Sequence, residues 1–331
     1  MTGHAAQAAS SPWLQGIGVA REERRAAPDP RRRLQLMLAG IWLLDGILQF
    51  QEFMFSHGFP QMLAGTAAGN PGFIASPITW TARIIAEHGT VTNALFAVIQ
   101  LLIGLGIALR PTVRLALAGS IVWSVAVWWL GEGLGGLFNG TASPLNGAPG
   151  AVIIYALLAV LLWPPDRDRA VSFVAGRYTG PAVARVLWLV LWGSLAYLSL
   201  APATKAPKAA GGMVAGIASG QPGWLASTDN GMASYLNAHG PRFAVFLAVV
   251  LALVAVGIYL PAQAVKGVLV LAIATTAFLW VAEGLGAILA GGATDPNSGP
   301  LLALLAVSYW PLASRTATTA REPAAVTAEA V

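Results

Sequence analysis

The chain has 331 residues, 56% of them hydrophobic and only 10% charged, where an ordinary soluble domain carries about 25% charged residues. With a mean hydropathy of +0.67, these figures exclude a soluble enzyme, a collagen and a disordered tail, and they fit a polytopic membrane protein. The absence of cysteine excludes disulfides, thiolate nucleophiles, iron–sulfur clusters and Cys-ligated zinc, and the net charge of +5 is distributed as membrane orientation requires rather than as a nucleic-acid footprint.

Residues 1–33 are rich in Ala, Arg and Pro and end in Arg31-Arg32-Arg33; they read as a disordered, basic cytoplasmic tail. Eight apolar segments follow, which predicts an all-α, polytopic transmembrane helical bundle. They are Leu34–Phe55, Val91–Leu109, Leu115–Leu137, Pro149–Trp163, Val183–Leu200, Phe243–Leu260, Gly267–Leu289 and Pro300–Leu312. The first holds Asp45 and Glu52 and is longer than a signal-peptide core, so it reads as an uncleaved signal anchor. The fourth and eighth are too short for a bilayer core of about 30 Å, so their preceding loops are expected to dip inward or the bilayer to thin. Residues 313–331 read as a second disordered cytoplasmic tail. With the N-terminus inside, 15 of the 19 Lys and Arg residues fall on the cytoplasmic side. Both termini are therefore expected in the cytoplasm of a bacterial cell, with the chain in the plasma membrane.

An internal repeat runs at an offset of 151 residues. Asn70-Pro71-Gly72-Phe73-Ile74-Ala75-Ser76 matches Gln221-Pro222-Gly223-Trp224-Leu225-Ala226-Ser227, and His88-Gly89 matches His239-Gly240. Trp129-Leu130-Gly131-Glu132-Gly133-Leu134-Gly135 matches Trp280-Val281-Ala282-Glu283-Gly284-Leu285-Gly286, and Trp163-Pro164 matches Trp310-Pro311 after a four-residue contraction. The pattern predicts a duplicated four-helix unit. An even number of spans per unit makes the repeats parallel rather than inverted. The expected organisation is a first repeat at 34–165, a cytoplasmic linker at 166–182 and a second repeat at 183–312.

One unit has an opening helix with Gly40 and Gly46, an outer amphipathic piece (Ile78–His88), and a helix ending in Gly104-Leu105-Gly106 before Arg110-Pro111, then two closing helices. This layout resembles the four-helix membrane unit of the DoxX/DoxD-like proteins, here in tandem. That resemblance implies membrane redox and quinone-linked chemistry, so a quinone is the cofactor it brings into view. The Gly-x-Gly motifs end apolar helices and lie in no βαβ unit, so they are not dinucleotide fingerprints.

Ionisable groups inside spans are costly and mark function. Counted from Arg33, Asp45 lies about 18 Å in, near mid-membrane, whereas Glu52, Glu132 and Glu283 lie near the outer face. Asp45, Gln49 and Glu52 follow helical spacing and are expected to share a face. Gln100 lies near the depth of Asp45, and Ser124, Thr275 and Thr276 lie mid-span, either lining a polar path or bonding backbone carbonyls. Glu132 and Glu283 precede helix-ending glycines, so each is either a structural acceptor for loop amides or a ligand, ion or proton site. Trp129 and Trp280 beside them belong to an aromatic belt or form a stacking wall for a quinone-like ring. His88 and His239, read as loop residues just before a helix, are either helix caps or metal ligands.

No catalytic residue stands out, and whether the chain is an enzyme is left open. Three function classes follow: a non-catalytic accessory or redox-associated module binding a quinone-like or lipid-like molecule near the outer leaflet, a proton- or ion-coupled small-solute transporter, and a structural scaffold. The expected partners are the lipid bilayer and other membrane subunits, not nucleic acid.

Overall fold

The computed structural model describes residues 29–166, 169 and 171–312; the two expected tails lie almost wholly outside these residues. Among the described residues every regular element is helical. α1 is Pro30–Leu48, α2 Gly58–Gly65, α3 Gly72–Ala108, α4 Val113–Leu130, α5 Ala151–Leu161 and α6 Gly176–Thr179. The second half continues with α7 Pro181–Ser199, α8 Pro202–Lys205, α9 Ala209–Ile217, α10 Gly223–Gly257, α11 Ala262–Ala282 and α12 Ser298–Ser308.

Local chemistry sets these limits. Asp29 caps α1 by accepting from the Arg31 amide at 3.2 Å, and Pro30 takes the first helical position, where its missing N–H costs nothing. Pro181 opens α7 in the same way. α1 stops at Leu48, where the Asn93 side-chain amide donates to the Gln49 carbonyl at 2.6 Å and satisfies one orphan acceptor of the helix end. The expected first span therefore ends seven residues early. Glu52 falls in a separate 3₁₀ turn, exposed, and off the face that carries Asp45 and Gln49.

The expected loop at His88 is reduced to a kink, where His88 alone leaves helical backbone angles. α3 is one helix of 37 residues with a kink at His88, and α10 runs 35 residues through His239 and Pro241. At 1.5 Å per residue each is about 50 Å long, well beyond a bilayer core of about 30 Å. In the first half the outer amphipathic piece and the following span are two helical segments joined at the His88 kink, whereas in the second half they run on without such a break.

Among the described residues, five helices are long and apolar enough to cross a membrane: α3, α4 with its preceding 3₁₀ turn, α7, α10 and α11. Their outward faces are apolar. On α3 the exposed residues include Val91, Leu95, Val98, Leu102, Leu105 and Leu109, a stripe stepping by four and three. On α10 the exposed stripe is Phe246, Val249, Leu253 and Val256, on the same register 151 residues later. A water-soluble bundle turns such stripes inward, whereas a bilayer solvates them outward. The chain is a helical bundle and an integral membrane protein.

The two short apolar helices, α5 and α12, lie inside. Nearly every residue of each is buried, and they pack on one another and on α4 and α11 respectively. A helix apolar all round belongs in a core, and this one joins the two halves in one continuous cluster with Trp42, Tyr155, Trp188 and Tyr309. Trp188 donates to the Val254 carbonyl at 2.9 Å and Tyr309 to the Ala184 carbonyl at 2.5 Å. At one end of the bundle, Arg32 donates to the Ile107 and Ala108 carbonyls that close α3, and Arg114 pairs with Asp166. This is the arginine end; Glu132, Glu283 and the long loops before α5 and α12 occupy the other.

Candidate functional site

α4 ends in Gly131-Glu132, and the chain then turns left-handed through Gly133, Leu134, Gly135 and Gly136, all at positive φ. The second half repeats the turn at Gly284, Leu285, Gly286 and Ala287. Glycine is needed at Gly135, because a Cβ there would run into the Pro149 carbonyl. These turns throw each glutamate back onto the start of the next helix. Glu132 Oε1 accepts from the Ala151 and Val152 amides at 3.1 and 3.3 Å, at the opening of α5. Glu283 Oε1 accepts from the Ser298 hydroxyl at 2.7 Å, at the opening of α12. Each uses one oxygen to cap the buried helix and leaves Oε2 buried without a partner.

Beside Glu132 the first half encloses a chamber of about 320 Å³. α1 contributes Trp42, Asp45 and Gln49, which share one helical face; α3 contributes Trp80, Phe96 and Gln100; α4 contributes Trp123. Asp45 is 1% exposed and its Oδ2 accepts from the Tyr155 hydroxyl at 2.5 Å. Tyr155, on α5, is held by the Trp42 ring at 4.4 Å, and Trp42 donates to the Ser120 hydroxyl at 3.1 Å. Asp45 Oδ1, Gln49 Oε1 and Gln100 Oε1 remain buried and unpartnered.

A second, more polar cavity of about 530 Å³ lies at the glutamate end, walled by the two loops. Asn139, Thr141 and Asn146 come from the first half, and Gly286 and Asn297 from the second. The two cavities share Met62, Glu132, Thr294 and Asp295 as a common wall. Asp295 accepts from the Asn297 amide at 2.7 Å and the Thr294 hydroxyl at 3.0 Å. Burial pushes its carboxyl above the usual carboxylate range, against the pull of those two hydrogen bonds. Irregular backbone at this depth is tolerated where it lines such a cavity.

The structure thus brings Asp45, Gln100 and Glu132 to one chamber, together with Gln49. Glu283 lies at the same end but lines neither cavity. Glu52 is exposed outside them. Trp129 is 41% exposed on the outer surface of α4; its neighbour Trp128 turns inward and donates to the Pro149 carbonyl at 2.6 Å. Trp280 plays that inward part in the second half, donating to the Pro296 carbonyl at 2.8 Å, and neither Trp129 nor Trp280 walls the chamber. His88 is exposed at the α3 kink, and His239 stacks on Tyr235 at 4.6 Å within α10. His239 sits within a helix rather than ahead of one, whereas His88 marks the junction of two helical segments. Among the described residues no group of three His, Asp or Glu side chains is placed to hold a metal ion. Thr275 and Thr276 donate to the Leu271 and Ile273 carbonyls of their own helix.

Sequence reasoning missed Asp295, Tyr155, Asn93 and Trp123. Asp295 is hidden in Thr294-Asp295-Pro296-Asn297, which reads as an ordinary turn. Most of the chamber wall comes from the first half, and Thr294 and Asp295 of the second complete it. At the same offset Asp45 matches Ala196, Gln49 Leu200, Gln100 Leu251 and Trp123 Ala274, so the second half lacks the polar groups of the chamber. The chain matches no family model, no curated protein and no solved structure.

Proposed function

We propose that this protein is a membrane-embedded binding module that takes a small, ring-bearing amphiphile into the chamber of its first half, in line with the quinone-like or lipid-like class to which its DoxX-like layout points. The observation that carries the reading is the chamber itself: about 320 Å³, mostly apolar, walled by Trp42, Trp80, Phe96 and Trp123, with a few convergent polar groups at Asp45, Gln49 and Gln100. That balance is the usual make-up of a small-molecule site. Filling the chamber with Ala126→Phe is expected to remove a small molecule that co-purifies with the wild-type protein, while the unfolding temperature holds. Native mass spectrometry reads the result; no adduct on either protein rejects the proposal.

We also propose that the chain is two parallel four-helix repeats in the bacterial plasma membrane, with its arginine end cytoplasmic. Support comes from the register of the helices: α1 and α7 begin and end 151 residues apart, at Pro30 and Pro181 and at Leu48 and Ser199. The Lys and Arg distribution supports the orientation. Because the chain has no cysteine, any introduced thiol is unique. An impermeant maleimide on whole cells is expected to label Gln61→Cys and to reach Asp166→Cys only after lysis; the reverse pattern inverts the topology.

Proton-coupled transport is the second reading. The wall shared between chamber and outer cavity at Glu132 and Asp295 favours it, since this wall supplies a route from the glutamate end toward Asp45.

A further inference from the structure

Resting on the chamber as a ligand site, we infer that its occupant is an organic ammonium: a positively charged, hydrogen-bond-donating head on a small apolar body. Among the described residues, the fully buried, unpartnered side-chain atoms of the chamber wall are four acceptors and one donor. The acceptors are Asp45 Oδ1, Gln49 Oε1, Gln100 Oε1 and Glu132 Oε2; the donor is Trp123 Nε1. A buried acceptor with no partner costs about 1–3 kcal/mol, more when charged, so a site that keeps four of them is shaped for something that donates.

Charge points the same way. Three carboxyl groups line the chamber, Asp45, Glu132 and Asp295, and no Lys, Arg or His lines it with them. A cationic ligand supplies the countercharge that holds such carboxyls ionised against the burial that otherwise neutralises them, as it does Asp295. An ammonium offers up to three donors and no acceptor, the complement of this wall. A quinone offers carbonyl acceptors to a wall already crowded with them. The rings supply the rest: a cation within about 6 Å of an indole or phenyl face is attracted to it, most strongly where water is excluded. Trp42, Trp80, Phe96 and Trp123 give the chamber four such rings. Tyr155 already donates to Asp45 Oδ2 and so leaves Oδ1 to the ligand.

The test uses the full chain in nanodiscs of zwitterionic lipid with two probes of one shape, 2-phenylethylammonium and neutral 2-phenylethanol. Saturable binding of the ammonium is expected, at least tenfold tighter than the alcohol. Asp45→Asn, which keeps an acceptor for Tyr155, should weaken the ammonium at least tenfold and leave the alcohol unchanged. Gln100→Leu should weaken the ammonium several-fold while raising the unfolding temperature, because it removes an unpaired buried acceptor; this separates lost recognition from lost folding. Equal affinity for the two probes, or full ammonium affinity in Asp45→Asn, overturns the assignment. If neither probe binds while another molecule co-purifies and is lost in Ala126→Phe, the ligand class is wrong and the chamber stands. If nothing binds or co-purifies, both fall.

Discussion

Gly135→Ala is expected to destabilise the protein by about 2–5 kcal/mol. The estimate combines about 1–2 kcal/mol for an L-residue forced into the left-handed region with about 1–3 kcal/mol for overpacking. Gly135 sits at φ +64°, and a methyl group there would strike the carbonyl of Pro149, backbone that has no rotamer with which to yield. Either the turn opens or the approach to α5 shifts, and both disturb the cap that Glu132 provides. Gly231→Ala is the matched control. It lies inside α10 with open space around its Cβ position, so a gain of about 0.5–1 kcal/mol is expected from helix propensity alone. Thermal unfolding of both variants in the same detergent checks the pair. Wild-type stability in Gly135→Ala would mean that the turn does not press on Pro149 at all.

Glu132→Ala is expected to cost about 2–4 kcal/mol. The Ala151 and Val152 amides lose their acceptor; beside the polar cavity each unmade bond costs about 1–2 kcal/mol, in the lower part of the range for a buried group. Glu132→Gln keeps a carbonyl for those amides and should lose less than half as much. The comparison separates the two duties of this side chain, because Gln restores the cap but not the charge on Oε2. Glu283→Gln should behave alike in stability and leave ligand binding untouched, since Glu283 lines neither cavity. Equal losses from Gln and Ala at residue 132 would show that the capping geometry contributes little. Chemical unfolding followed by tryptophan fluorescence reports all three variants.

Much of this arrangement is legible in the sequence because it follows from one-dimensional signals. Gly-x-Gly marks helix ends, and an aspartate in an apolar run has to face protein, as Asp45 does, although the helices expected from Leu34 and Val183 begin earlier, at Pro30 and Pro181. Other features depend on partners distant in sequence. Nothing near Leu48 announces that α1 stops there; the Asn93 amide, 44 residues on, makes the stop possible and strands Glu52 outside. The choice between Trp128 and Trp129 is one residue, about 100° of helix rotation, and Trp128 is the one that meets Pro149. The expected helix start after His88 survives as a kink, while the one after His239 fails because Pro241 is tolerated inside a long helix held by its neighbours. Two segments too short to cross a bilayer prove to be the centre of the bundle, a role that length alone does not reveal.

The shortness of α5 and α12 has an electrical consequence. Eleven mostly apolar residues in each make an insulating plug about 16 Å thick, roughly half the usual dielectric layer of about 30 Å. Where the polar cavity admits solvent down to this plug, most of the membrane voltage drops across the plug. An elementary charge moved through the whole drop gains about 2.3 kcal/mol per 100 mV, and the thin plug delivers that gain over half the customary distance. A charge that passes the plug crosses nearly the whole drop, whereas a guest held on its solvent side crosses little of it.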